Sequence, residues 1–378
     1  MLPTCFSRFL PSRCKHYIFV MVFVAASICF LPNATAASKL PTGYSVATLG
    51  TLDNPGSSAV VRRVNSLGEA VGGFKNGKTH QTSAAFILSS TAGFDEITDQ
   101  QSTDFSALYG INDFGEVAGA INGPSSVLPF RAVRHTGFQL LPLLGQDSSG
   151  AAYGINDHGE SAGFSGGSSG LRAVWWTRKG DIFELPSLPG YTTTKALDIN
   201  SKGDIVGYAG DGDEVAVVWP AKGNIISLDN LYSFTSSQAE SVSQNGDVVG
   251  SASAFDPDST RMRAVLWLAG SSTPQDLGAL PGGSTSRARD IDSNGIAVGT
   301  SGSALGNRAF IWTSADGMRD LNSLSNNPNI VLVDALSVNK QGAILALGIN
   351  RSDLPSSDTA DLEEHELPRQ VVLLTPIK

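Results

Sequence analysis

The chain has 378 residues, with 41 glycines, three cysteines and a formal net charge of −9 from 26 basic and 35 acidic residues. Such an acid excess makes nucleic acid and anionic membrane surfaces poor partners. Cys5, Cys14 and Cys29 all precede residue 30, so the rest of the chain offers no disulfide framework, thiolate metal site or cysteine nucleophile, and burial must stabilise it.

Residues 1–37 read as an export signal. Arg8, Arg13 and Lys15 supply a positive start, residues 17–30 an apolar run, and Ala34-Thr35-Ala36 a small-residue cleavage site. The run is shorter than the roughly 20 residues of a membrane span. The mature chain is therefore predicted to be secreted or periplasmic, without a span. Losing three of the 26 basic residues and no acid, it carries 23 against 35, or −12.

The first ordered segment is predicted at Tyr44–Leu52, a run of β-favouring residues ending Leu49-Gly50-Thr51-Leu52. Beyond it the chain repeats. Anchors at Asn65, Asn112, Asn156, Asn200, Ser243, Asp292 and Asn339 are separated by 47, 44, 44, 43, 49 and 47 residues, each preceded by Ile or Val. Glycine always stands three residues after the anchor (Gly68, Gly115, Gly159, Gly203, Gly246, Gly295, Gly342) and, except at Ala346, seven after it. A short polar residue at the first position of a turn and glycine at the fourth predict a type I turn with a left-handed glycine, joining two strands of a hairpin.

Each repeat holds two further strands. The third carries Arg-Ala-Val/Phe-x-Trp, as in Arg172-Ala173-Val174-Trp175-Trp176, and the fourth is assigned to Leu-x-x-Leu, as in Leu185-Pro186-Ser187-Leu188. Four short strands per forty-odd residues make one propeller blade. The seventh copy stops after its third strand, at 370–374, while the N-terminus holds a fourth strand without a blade. The predicted fold is an all-β, seven-bladed β-propeller of four-stranded blades over residues 44–378, closed by the N-terminal strand completing the last blade. An acidic insertion at 351–367 interrupts the seventh copy.

The recurrent Ile-Asn-x-x-Gly-x-x-x-Gly, the Arg-Ala-Phe-x-Trp strand at 308–312, Leu-Gly-Ala-Leu-Pro-Gly at 277–282 and Leu-Leu-Thr-Pro at 373–376 resemble the HAF-repeat family of bacterial extracellular proteins. Arginine stands where the histidine of the family's name is expected. The resemblance implies secretion and a repeat fold, and carries no catalytic or binding residues onto this chain.

Candidate chemistry is sparse. His80, His135, His158 and His365 are scattered. Trp176, Trp219, Trp267 and Trp312, with Leu88, His135 and Leu374 as counterparts, read as blade packing. Arg131, Arg172, Arg263 and Arg308, four residues before that position, read as a structural ladder. No metal or cofactor is expected, and the weak calcium candidates are Asp211, Asp213, Asp256 and Asp258. The most suggestive residues lie just before the hairpins: Ser149, Thr193, Ser237 and Thr285, with Lys195 and Arg287 close by. In a closed ring they would gather around one mouth of the channel and bind a polyhydroxylated ligand such as a glycan.

The sequence favours a secreted, monomeric, non-enzymatic module binding a protein or glycan through its channel mouth and loops. A structural surface or matrix role is the alternative. A glycan lyase or hydrolase is the third reading, although no Ser-centred elbow, acid pair with His or metal cluster is visible.

Overall fold

The computed structural model describes residues 39–52, 60–75, 83–91, 93–97, 106–122, 126–134, 137–256, 259–354 and 367–377. The export signal, His80, His135, His365, Asp258 and most of the acidic insertion lie outside them.

The described residues build seven four-stranded antiparallel sheets. Six sheets take four consecutive strands, and their first strands are Val60–Val64, Ser106–Ile111, Ser149–Ile155, Thr194–Ile199, Ser236–Val242 and Ser286–Ile291. The seventh joins Ile330–Val338, Ile344–Asn350 and Arg369–Pro376 to Tyr44–Leu52 from the opposite end of the chain. Tyr44 pairs with Pro376, Val46 with Leu374 and Leu52 with Arg369. First strands of neighbouring blades lie side by side around the ring, including Ile330–Val338 against Val60–Val64. The predicted seven-bladed propeller, closed by its N-terminal strand, is the fold.

Each anchor turn closes as its spacing requires. In the first, the Gly68 amide donates to the Asn65 carbonyl at 3.0 Å and the Asn65 amide to the Glu69 carbonyl at 3.1 Å. Gly68 sits at φ 77°, and its six equivalents are also left-handed. The anchor side chain also works sideways. Asn112 accepts from the amides of Phe114 and Glu116 through Oδ1, while Nδ2 donates to Glu116 and to the Asn156 carbonyl in the next blade at 2.9 Å. The same link runs from Asn65 to Asn112, Asn156 to Asn200, Asn200 to Ser243 and, across the closure, Asn339 to Asn65. Ser243 and Asp292 have no amide to give, and two links of the ring are lost there.

Blades are also stapled near the opposite end of their first strands. Ser106, Thr194, Ser237 and Ser286 each accept, through a buried hydroxyl, the amide of an alanine in the preceding blade's third strand: Ala85, Ala173, Ala216 and Ala264, at 2.8 to 3.1 Å. Between blades 2 and 3 the corresponding residues are Pro129, which has no amide, and Gly150, which has no hydroxyl. The unpaired donor and its acceptor are missing together. Tryptophan adds a third contact. Trp176, Trp219 and Trp267 are buried and donate Nε1 to the carbonyls of Pro142, Pro186 and Asp229 in the connections from the preceding blade.

Two sequence assignments are corrected by register. Trp176 pairs with Ser161 and Trp219 with Ile205, five residues past their anchors; in blade 2 that position, Val117, faces Ala132 rather than His135. The Arg-Ala-Val motif of blade 2 is therefore displaced by three residues. Arg131 leaves the arginine series and clamps the next blade instead, donating to the carbonyls of Gly159, Thr177 and Arg178. The Leu-x-x-Leu motifs of the complete blades also follow the outer strands rather than forming them. Outer strands are Ile182–Glu184, Pro274–Asp276 and Gly317–Asp320, and Leu277, Leu280, Leu321 and Leu324 bury themselves in the connections beyond.

Candidate functional site

Every first strand is bulged. Between the pairs Val61–Gly72 and Arg63–Val71 one residue, Arg62, has no partner, and the same break recurs at Tyr109, Tyr153, Leu197, Glu240, Arg289 and Leu336. In six of the blades it goes with the glycine seven residues past the anchor, and in the seventh Ala346 stands there. A Cβ at Gly163 would stand 1.9 Å from the Ala151 carbonyl oxygen, and one at Gly207 or Gly250 equally close to Lys195 or Gln238. In these blades the bulge pushes the inner backbone onto its neighbour, and only glycine leaves room. Its consequence is chemical: two consecutive residues, three and two before each anchor, face the channel.

The two rings differ in kind. Two residues before the anchors stand Arg63, Gly110, Gly154, Asp198, Ser241, Asp290 and Ser337, which form a plug. Arg63 reaches Asp198 at 3.1 Å and Asp290 at 2.5 Å; the Ser241 hydroxyl lies between the two carboxylates, 2.9 Å from Asp198 and 2.6 Å from Asp290, and Ser337 donates to Asp290. Backbone amides of Val242, Ile291 and Val338 complete the carboxylates' shells. Burial works against the Arg63 charge, but Asp198 and Asp290 outweigh it and hold the guanidinium above its ordinary value. The same burial, with Asp290 adding repulsion, raises Asp198 against the pull of Arg63. On the anchor side lies a small recess of about 140 Å³, where Lys340 reaches Asp113 at 2.6 Å and Asp157 at 2.9 Å.

On the other side of the plug the channel opens into a chamber of about 240 Å³. The seven bulge residues line it, joined by Lys195, Gln238 and Arg287 from two positions earlier and by Tyr208 from a second strand. Tyr109 and Tyr153 lie with ring centroids 5.0 Å apart, and Arg62 sits 6.0 Å from the Tyr109 centroid. Lys195 Nζ is held among the rings of Phe164, Tyr153 and Tyr208, at 5.1, 5.8 and 5.8 Å. Burial lowers the Lys195 ammonium from its usual range, with Glu214 partly opposing, and pushes Tyr208 up to about 12. Arg287 pairs with Glu240, and Arg289 forks onto Asp334 at 3.0 and 2.8 Å. Arg62 has no carboxylate partner among the described residues; burial and the nearby Arg289 and Arg287 lower its pKa.

The residues singled out in the sequence divide accordingly. Lys195 and Arg287 line the chamber. Ser237 is an interblade staple, its hydroxyl occupied by the Ala216 amide. Ser149, Thr193 and Thr285 stand one residue earlier, against the turns of their own blades. Ser149 Oγ donates to the Gly166 carbonyl, Gly210 donates to the Thr193 carbonyl, and Gly302 to that of Thr285. Asp211 and Asp213 are exposed, Asp211 accepting from Thr192, and Asp256 ends a strand opposite Ser259. No group of three or more His, Cys, Asp and Glu among the described residues is placed to hold a metal ion. Arg62, Tyr109, Tyr153, Glu240 and Arg289 escaped sequence reasoning, because they occupy a variable position beside an invariant one. The second glycine of the first six repeats was the signal that marks them.

No protein-family model matches the chain, and no curated protein matches its sequence. Among solved structures it is similar to a streptogramin B lyase, with a TM-score of 0.50 and 11% identity over 89% of this chain and 99% of that one. A virginiamycin B lyase from Staphylococcus aureus gives 0.48 and 11%, covering 88% and 100% of the two chains. TolB from Acinetobacter baumannii gives 0.45 and 9%, covering 65% and 61%. At these identities the likeness is one of fold. No helix among the described residues is long and apolar enough to cross a membrane.

Proposed function

We propose that the protein is exported by way of residues 1–37 and works as a monomeric, non-enzymatic binding module, taking a small polar ligand into the chamber above the Arg63 plug. One observation carries this reading. The repeat keeps its turn positions nearly constant and varies the bulge residues, so that Arg, Tyr, Tyr, Leu, Glu, Arg and Leu meet in one cavity. A purely structural ring has no use for such variety at the axis, whereas a ligand pocket needs a few polar groups placed on a rigid frame. The motif likeness to HAF-repeat extracellular proteins agrees with export.

The test is equilibrium dialysis of the mature chain against small-molecule extracts of culture medium and cell envelope, with retained masses compared between the parent and Leu197→Trp, whose indole occupies the chamber. Retention by the parent and loss in the variant supports the reading. Equal retention by both places binding elsewhere. Self-association without any retained small molecule favours a matrix role.

A further inference from the structure

Resting on that reading, we infer that the ligand is a carboxylate-bearing sugar, its carboxylate held by Arg62 and Arg287 and a face of its ring laid on Tyr109 and Tyr153. The chain as a whole is acidic at −9, yet five of the thirteen residues lining the chamber are Arg or Lys. Three of the five have their charge answered within the protein: Arg63 by Asp198 and Asp290, Arg289 by Asp334, Arg287 by Glu240. Arg62 and Lys195 have no ion pair among the described residues: Arg62 lies beside the Tyr109 ring with Glu240 acting on it from beyond pairing distance, and Lys195 lies among three rings with Glu214 doing the same. Arg287 moreover keeps a buried Nε without a hydrogen-bond partner. Arg289 and Arg287 repel the Arg62 guanidinium, a cost that an anion relieves, and arginine forks fit a carboxylate.

The remaining lining selects among anions. Inorganic phosphate would leave most of the 240 Å³ unfilled and would lay nothing on the tyrosine rings. A flat hydrophobic acid would cover Glu240, paired with Arg287, and Gln238, which donates to Glu214, while offering no donor to the acceptor oxygens they have left. A sugar acid satisfies both, donating hydroxyls to Glu240 and Gln238 while its C–H face covers the tyrosines. The volume, below the roughly 300–1,000 Å³ of drug-sized pockets, suits one or two rings.

Calorimetric titration of the full mature chain tests this with D-glucuronate, D-galacturonate and D-mannuronate, their neutral parent sugars, and inorganic phosphate. At least one uronate is expected to saturate, its parent sugar to bind at least about tenfold more weakly, and phosphate to give no saturation. Arg62→Gln should weaken that uronate at least about tenfold, while Arg62→Lys, keeping the charge without the fork, falls between. Thermal melting of both variants confirms folding. Equal affinity for uronate and parent sugar, with Arg62→Gln indifferent, overturns the inference but leaves the chamber reading intact. Saturation by phosphate alone, or by none of the probes, also overturns it; the Leu197→Trp dialysis then decides the chamber reading separately.

Discussion

Arg63 of blade 1 meets Asp198 of blade 4 across the channel at 3.1 Å, although the two are 135 positions apart in the chain. Removing the cation would leave Asp198 and Asp290 facing each other in a buried site. Arg63→Met is therefore expected to destabilise the fold by about 3–5 kcal/mol. Replacing both acids as well (Asp198→Leu, Asp290→Leu) removes that repulsion but takes the acceptor from the Val242, Ile291 and Val338 amides, so it should recover only part of the loss. Urea denaturation of the single and triple variants checks both statements.

Pro129 and Gly150 occupy a staple position that four other blade junctions fill with an amide and a hydroxyl. Two changes that look mild should both cost stability. Pro129→Ala frees a buried amide with no acceptor, and Ser286→Ala strips the acceptor from the Ala264 amide; each is expected to lose about 1–3 kcal/mol. Gly150→Ser does not repair Pro129→Ala, since a Cβ there would stand 2.7 Å from the Phe164 carbonyl oxygen. Thermal melts of the single and double variants measure this.

Closure depends on Tyr44–Leu52, whose pairing with Arg369–Pro376 joins the two ends of the described chain. Tyr44 is fully buried among Leu321, Leu332 and Leu374, and its hydroxyl has no partner. Tyr44→Ala should cost about 3–5 kcal/mol. Tyr44→Phe should be neutral or stabilising, because it removes an unsatisfied buried hydroxyl. Deleting residues 39–52 exposes the edge of Arg369–Pro376 and should produce aggregation, read by light scattering.

The Lys340 bridge over the anchor mouth gives a pH response with a defined sign. Burial alone would raise Asp113, but Lys340 and Ser66 hold it below its ordinary 3.8. Its contribution is complete above that value and is lost as pH falls through the lower folded pKa. Lys340 is raised above 10.5 by Asp113 and Asp157 against burial, so its contribution is complete below 10.5 and is lost as pH rises through the higher folded pKa. With the ammonium half exposed, each loss should be about 0–1 kcal/mol. Melting temperatures of the parent and Lys340→Met should accordingly converge at both pH extremes and differ between them.

Legibility from sequence followed the range of the interactions. Turns such as Asn65 to Gly68 are local, and their spacing alone predicts hairpins, blade number and the borrowed strand. Register is not local: three residues displace Arg131 from the arginine series, and only strand pairing reveals it. The chamber was hidden for a related reason. A bulge moves Tyr109 or Arg289 toward the axis without altering the pattern of apolar residues, and the partners that define the site, such as Arg289 and Asp334, lie 45 residues apart. Gly119 and Gly163 record the bulge in sequence, but glycine alone does not say which backbone approaches it.

That the bulge residues, rather than the hydroxyls beside the mouth, hold the ligand is tested most directly by native mass spectrometry of protein purified from its own envelope or medium. The parent and a Thr193→Val, Thr285→Val variant should both carry a bound mass of a few hundred daltons, and Leu197→Trp, folded by its melting temperature, should carry none. A bound mass that persists in Leu197→Trp and disappears with the two threonines would contradict it.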